Sequence, residues 1–409
     1  MEHGVHLAEQ HDVHTDAVDS SKPISPQPDV RDSPERFEPS AKRYAKTRLT
    51  VSLLGSAFFF VLSLALVAGG VTVGFEKSVR SYLSNDYAAL LGFVALLGLV
   101  EMVLALPLQF YSGYYLEHKY NLSNQTLGMW LWEGLKGFLV GIPITVPLLL
   151  VLFFCLKSFG SMWWFPVGSM LFFLSVVLAR LAPVLIFPLF YTFKPLPDGE
   201  LRSAILRLCQ SAGMFVEGVY VFDMSKNTKK ANAAFTGIGK SKRIILGDTL
   251  VANFRDEEIE TVFAHELGHY RLRHVWTMLG VGTLSSFLGL YLTARAYEVS
   301  LLWFGFVSLD QLAALPLLAL WLGVYSLLAS PLSNAISRSH ERAADRYAIS
   351  LTNNGKAFAN ALRKLAKINL ADASPHPVIE FLFHSHPSIE KRVRAIGSLR
   401  HSPRPGIAQ

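Results

Sequence analysis

Two cysteines in 409 residues leave nothing for a disulfide framework. Cys155 stands in an apolar run and Cys209 in a polar segment, so a cysteine-spaced metal cluster is excluded as well. Charge is also scarce. Charged residues make up 17% of the chain, against about 25% in an average soluble protein. With 51% hydrophobic residues and a mean hydropathy of +0.33, that deficit points away from a soluble domain and towards a membrane protein. Residues 1–40 contain no apolar stretch of signal-peptide length, which excludes a cleavable secretory signal. Rich in Pro, Asp, Glu and Ser, they are expected to form a disordered tail. His3, His6, His11 and His14 are scattered there without the spacing of a metal site.

The net charge of +7 does not indicate nucleic acid. Lysines and arginines flank apolar spans, as the positive-inside rule requires. A basic patch at Lys226, Lys229, Lys230, Lys240, Lys242 and Arg243 has no interleaved aromatic motif, so a membrane surface is its expected partner.

Six apolar runs are long enough to cross a bilayer: Leu49–Val73, Tyr87–Tyr115, Gly137–Leu156, Met162–Phe193, Val275–Ala294 and Leu312–Ser337. Pro183 and Pro188 are expected to break the fourth after its crossing. Leu301–Leu309 is too short to span and reads as a re-entrant or interfacial segment. Glu101 lies inside the second span, where a carboxylate is either functional or hydrogen-bonded to a neighbouring helix. Arg180 reads as a snorkelling interfacial residue. Basic flanks place the N-terminus in the cytoplasm, and an even count of spans returns the chain there. The resulting organisation is a tail (1–40), four spans (41–193), a cytoplasmic segment (194–274), two spans (275–337), a second cytoplasmic segment (338–400) and a tail (401–409).

The segment 194–274 reads as a small α/β domain. Leu201, Ile205 and Leu208 recur at helical spacing before Gly213, and Gly218–Phe222 and Arg243–Leu246 are β-rich. Asn232-Ala233-Ala234-Phe235-Thr236-Gly237 between them is expected to form an edge strand, of the kind that holds an extended peptide, or else an ordinary hairpin strand.

Chemistry concentrates at Asp256–His274. Acidic Asp256, Glu257 and Glu258 open a helix on which Ile259, Phe263 and Leu267 repeat. His265 and His269 then share one face and can hold a single Zn²⁺, with Glu266 between them acting on a water. His274 does not fit the metzincin spacing, because Arg271 and Val275 occupy that pattern's glycine and third-histidine positions. Beyond the sixth run, Ser339-His340-Glu341-Arg342-Ala343-Ala344-Asp345-Arg346 reads as a helix. Glu341 can ligate the metal while Asp345, one turn on, accepts an imidazole N–H. The alternative is a solvated helix in which Arg342 and Arg346 pair those carboxylates.

Together these features resemble the type I CaaX prenyl proteases, membrane zinc metalloendopeptidases of the gluzincin kind, from about Arg48 to Leu399. The resemblance rests on HELGH, two further spans, the ERAAD helix, Asn121-Leu122-Ser123-Asn124-Gln125-Thr126-Leu127-Gly128, Pro188-Leu189-Phe190 leading to Lys194-Pro195-Leu196-Pro197, and Ser385-His386-Pro387 with Arg392 following. It implies one zinc per chain held by His265, His269 and Glu341. It also implies Glu266 as general base, Asp345 as a catalytic helper and His386 as oxyanion donor. Asn232 and Ala233, with Arg392, are the implied substrate-binding residues. A mainly α polytopic membrane fold around a chamber, with a small α/β zincin-like cytoplasmic domain, follows from the same resemblance. Eukaryotic members usually have seven spans; the one missing here falls between the first two and suggests a bacterial inner-membrane member rather than one of the endoplasmic reticulum.

The expected substrate is a peptide or protein, prenylated or amphiphilic, reached among membrane lipids. Two other readings compete: a quality-control protease for misfolded membrane proteins, and a transporter with structural zinc. The second is disfavoured, since a structural site fills its fourth position with a protein ligand and no such Cys or His pair is present.

Overall fold

The structure, a computed structural model, describes residues 34–236 and 243–399. The scattered histidines of the expected N-terminal tail, the tail 401–409, and Lys240 and Lys242 of the basic patch lie outside the described residues. Helix α1 (Pro34–Ala68) begins within the segment expected to be a tail.

Among the described residues, six helical segments are long and apolar enough to cross a membrane, in agreement with the count from hydropathy. The first is α1. A short amphipathic helix, α2 (Val71–Arg80), follows it. The second span joins α3 (Asp86–Phe110) to α4 (Leu116–Lys119) through a π turn at Tyr111–Tyr115. The third is α5 (Leu127–Phe159), capped where Thr126 Oγ1 accepts from the Met129 N–H at 3.2 Å. The fourth joins α6 (Trp164–Leu181) to α7 (Phe187–Phe190). Here Pro183 does not break the helix as expected. It sits in a π turn, Ala182–Ile186, which absorbs the missing N–H within a continuous helical segment.

Strand β1 (Phe193–Pro195) and α8 (Glu200–Ser211) lead into the small domain. The remaining strands are β2 (Gly218–Phe222), β3 (Ala233–Thr236) and β4 (Arg243–Gly247). The sheet order is β1-β2-β4-β3, with β2 and β4 parallel and the outer pairs antiparallel. This puts β3 on an edge. Short α9 (Asp248–Asn253) precedes α10 (Asp256–Arg271), the helix that carries HELGH. Ile205, Ile244, Leu246, Leu250, Phe263 and Leu267 are all fully buried between the sheet and these helices.

Left-handed Arg273 (φ 59°) turns the chain from α10 into α11 (His274–Phe304), the fifth span. Leu301–Phe304 are not a separate re-entrant piece. They are the last turn of α11, which ends at left-handed Gly305, and only Gly305–Leu309 are non-helical. The sixth span and the ERAAD segment are one unbroken helix, α12 (Leu315–Thr352). Gly289 lets α11 approach α12, where a Cβ would clash with the Tyr325 ring at 2.3 Å. Helices α13 (Gly355–Ile368), α14 (Pro377–Phe383) and α15 (Ile389–Leu399) complete the chain.

The loop before α5 docks onto the segment that feeds β3. Ser123 bridges Thr228, the Lys229 N–H donates to the Leu122 carbonyl at 2.9 Å, and Asn124 Nδ2 donates to the Ser225 carbonyl at 2.7 Å. The membrane helices thus hold the entrance to the edge strand.

Candidate active site

Helix α10 starts with a capping box. The Arg255 N–H donates to Glu258 Oε2 at 3.0 Å while three acidic residues face the positive end of the dipole. The helix so fixed presents His265 and His269 on one face. Gly268 allows α12 to lie directly against it, and α12 brings Glu341 to the pair.

The two Nε2 atoms are 3.2 Å apart. His265 Nε2 is 3.3 Å from Glu341 Oε2, and His269 Nε2 is 3.2 Å from Oε1. A tetrahedral ion with metal–nitrogen bonds of about 2.0–2.1 Å requires ligand atoms roughly 3.3 Å apart. The buried Glu341 Oε2 makes no hydrogen bond, an atom left waiting for a cation. Burial opposes its charge, yet His265 and His269 hold the Glu341 carboxyl well below the usual carboxylate range. Among the described residues, this is the one group of three or more His, Cys, Asp and Glu side chains placed to hold a metal ion. The donor set fits zinc.

Behind the ligands, Asp345 Oδ1 lies 2.9 Å from His265 Nδ1 and fixes the tautomer that leaves Nε2 free. Burial disfavours the charged imidazole, but the flanking Asp345 and Glu341 carboxylates together raise His265 to about 9. Arg392 forks onto Asp345, with Nε at 2.9 Å from Oδ2 and Nη2 at 2.6 Å from Oδ1. The solvated-helix alternative is therefore wrong: Glu341 and Asp345 are buried and turned to the histidines and Arg392, while Arg342 and Arg346 are exposed.

His269 has a partner that the sequence reading missed. His274 Nδ1 is 3.0 Å from His269 Nδ1, and its ring stacks on His340 with centroids 4.1 Å apart. Burial, with His340 and His269 beside it, lowers His274 to about 4. A neutral His274 accepts the His269 N–H and leaves that Nε2 free too. The signal was a histidine five residues beyond His269, set aside because it failed a ligand spacing rather than weighed as an orienter.

A cavity of about 280 Å³ opens over these atoms, lined by Asn232, Ala233, His265, Glu266, His269, Glu341, His386 and Arg392 among others. Burial raises the Glu266 carboxyl, against the pull of His265 and His269. Asn232 is exposed at the head of β3, its carbonyl accepting from the Gly247 N–H at 2.9 Å. Asn369 pins the preceding residue, accepting from the Ala231 N–H at 2.9 Å and donating to its carbonyl at 3.1 Å. His386, between α14 and α15, reaches in with Nε2 3.2 Å from Glu341 Oε1. All nine residues expected at the site from sequence lie at this cavity or, for Asp345, directly behind it.

Comparison with known proteins decides what this arrangement is. A family model described as peptidase family M48 matches residues 195–400, and one described as CAAX prenyl protease N-terminal, five membrane helices, matches residues 28–192. The chain belongs to peptidase family M48. It is a multi-pass membrane metalloprotease acting on peptide or protein substrates. Where the N-terminal model describes five membrane helices, the described residues of this M48 member have four spans and the short α2.

An uncharacterized metalloprotease YhfN of Bacillus subtilis is 32% identical, over 89% of this chain and 86% of that one. The CAAX prenyl protease 1 of Saccharomyces cerevisiae is 30% identical, over 78% and 74%. The crystal structure of S. mikatae Ste24p superposes with a TM-score of 0.78 at 27% identity, covering 88% of this chain and 89% of that one. The M48 fold here is accordingly that of membrane helices enclosing a chamber, with the small sheet domain attached.

Proposed function

We propose that this M48 protein is a zinc endopeptidase that cleaves near the C-terminus of CaaX-like substrates, prenylated or otherwise amphiphilic. The observation that carries the chemistry is the triangle of His265, His269 and Glu341 ligand atoms beside an edge strand with Glu266 between them. When bound, zinc supplies Lewis acidity, polarising a carbonyl and lowering the pKa of water.

The protein's own residues do the rest. Asp345 and His274 keep the two histidines in the tautomers that expose Nε2. Substrate backbone pairs with β3 in extended form, with Asn232 hydrogen-bonding at its head. Glu266 takes a proton from the attacking water and delivers it to the leaving amine. His386 donates to the oxyanion that develops on the scissile carbonyl, an interaction worth about 3 kcal/mol at comparable sites. Arg392 holds Asp345 and closes the substrate side of the cavity.

The CaaX specificity is supported by similarity to proteins named CAAX prenyl protease and by the chamber, which gives an amphiphilic tail a place beside the site. Charge distribution supports a cytoplasmic catalytic domain. The bacterial inner membrane is the setting this reading favours over the endoplasmic reticulum.

The test is cleavage by purified protein of a farnesylated CaaX peptide, its unprenylated twin and an unfolded membrane protein. Release of the C-terminal tripeptide from the farnesylated peptide alone is expected. Glu266→Gln should retain one zinc per chain and lose cleavage. Preferential degradation of the unfolded membrane protein would replace this substrate assignment with a quality-control role.

A further inference from the structure

A second charged cavity adjoins the catalytic one. A cavity of about 430 Å³ lies on the other side of Asp345 and Arg392, lined by the α12 arginines Arg338, Arg342 and Arg346, by Lys391 and by Phe381 of α14. Its two carboxylates are already matched. Asp345 is held by Arg392, and Glu380 accepts two 3.0 Å bonds from Lys391 Nζ. Among the described residues, Arg342 and Arg346 are exposed and make no ion pair.

Arg338 is the decisive observation. Its residue is only 8% exposed, yet it makes no ion pair with any described carboxylate, Glu380 being taken by Lys391. Nη1 alone is used, donating to the carbonyls of Glu380 at 3.1 Å, Phe381 at 3.3 Å and His384 at 2.6 Å. Nε and Nη2 donate to no described residue, although the side chain lines the cavity. The guanidinium also lies over the Phe381 ring, 5.7 Å from its centroid, so the donors it keeps open to the cavity are fixed in place for an anion.

The position identifies the anion. Arg338, Arg342 and Arg346 follow one another at four-residue intervals just past the apolar part of the sixth span. Arg338 stands about 9 Å along the helix from Leu332, which is apolar and 69% exposed. Side chains on a helix tilt towards its N-terminus, which for α12 is the membrane side. Helix α14 lies across the same place, fixed by Asn334 Nδ2 donating to the Leu382 carbonyl at 2.9 Å. It leaves Val378 (56%) and Phe381 (53%) exposed. Apolar side chains beside unpaired arginines at the end of a membrane span match a lipid interface better than bulk water.

We propose that this cavity binds the phosphate headgroup of an anionic phospholipid. Arg338 and Arg342 hold the phosphate oxygens, Arg346 adds charge above them, and Val378 and Phe381 lie against the acyl chains. The proposal depends on the membrane fold and not on which peptide the enzyme cleaves.

The test uses the full-length protein, delipidated in non-ionic detergent and titrated with phosphatidylglycerol or phosphatidylcholine by native mass spectrometry. Wild type is expected to bind phosphatidylglycerol more tightly than phosphatidylcholine. The Arg342→Gln/Arg346→Gln double variant should lose about thirtyfold of the phosphatidylglycerol affinity, at roughly one tenfold step per 1.4 kcal/mol and about 1 kcal/mol per arginine. Millimolar inorganic phosphate should not displace the lipid. Undiminished phosphatidylglycerol binding by the double variant, whose exposed side chains carry no packing, would overturn the proposal. Displacement of the lipid by inorganic phosphate would overturn it too, in favour of a site for a soluble anion.

Discussion

Gly268 of the HELGH helix faces Ala344 of the ERAAD helix so closely that a Cβ on the glycine would stand 3.1 Å from the Ala344 Cα and 3.2 Å from its carbonyl oxygen. Both obstacles are backbone, so a side chain there moves one helix against the other. The helices it moves are those that hold the histidine pair and Glu341. Gly268→Ala is expected to lower metal affinity and to cost about 1–3 kcal/mol of stability, as overpacking does. Chelator competition and thermal unfolding measure the two effects. Unchanged values in both would mean that the helices tolerate a wider spacing than the ligand triangle suggests.

Removing a ligand and removing its orienter should differ in degree. Glu341→Ala takes away one corner of the triangle and should abolish stoichiometric zinc. Asp345→Ala leaves the corner but frees the His265 ring, for a loss of roughly 10–100-fold in affinity. His274→Ala should cost less, since the acceptor it removes from His269 is a neutral ring rather than a carboxylate. Metal analysis of the purified variants orders the three, and full zinc in Glu341→Ala would redirect the assignment to His340.

Binding and chemistry should separate at Asn232 and His386. Asn232→Ala is expected to raise KM, because its role is to hold substrate on β3. His386→Ala is expected to lower kcat, because its donor is needed only as charge develops. Neither should alter zinc stoichiometry. A His386 variant that loses its metal would show that the 3.2 Å contact with Glu341 supports the ligand instead.

Topology is open to thiol labelling on an unmodified background. Cys155 and Cys209 are both 2% exposed, and burial pushes the Cys209 thiol up to about 11. A raised pKa leaves the thiol protonated, so labelling should stay negligible through pH 8 and rise only near pH 11 or on unfolding. Cysteines introduced at Asp198 and Arg394 should react from one side of the membrane and one at Tyr82, 88% exposed between the first two spans, from the other. Labelling of Asp198→Cys and Arg394→Cys from opposite sides would break the six-span topology and the shared site.

The sequence by itself determined the elements. Uninterrupted apolar runs fix membrane spans because no backbone group can go unbonded in lipid, and that rule acts locally. It also carried the metal chemistry, since two histidines four apart must share a helix face. It did not reveal how elements end or what stands behind a ligand. Leu301–Phe304 read as a separate segment because hydropathy falls at Arg295, Glu298 and Ser300, although the helix continues to Gly305. Pro183 read as a break because the accommodation by a π turn depends on the whole segment.

Only the tertiary structure decided the rest. Arg392 is 47 residues from the Asp345 that it grips, and Gly268 meets its reason for being glycine on another helix. Arg342 and Arg346 look, along the chain, like partners for Glu341 and Asp345. Packing against α10 turns those carboxylates inward and leaves the arginines exposed on the neighbouring face. Spacing along a chain states which side chains share a face, and only the packing of one helix on another states what that face meets.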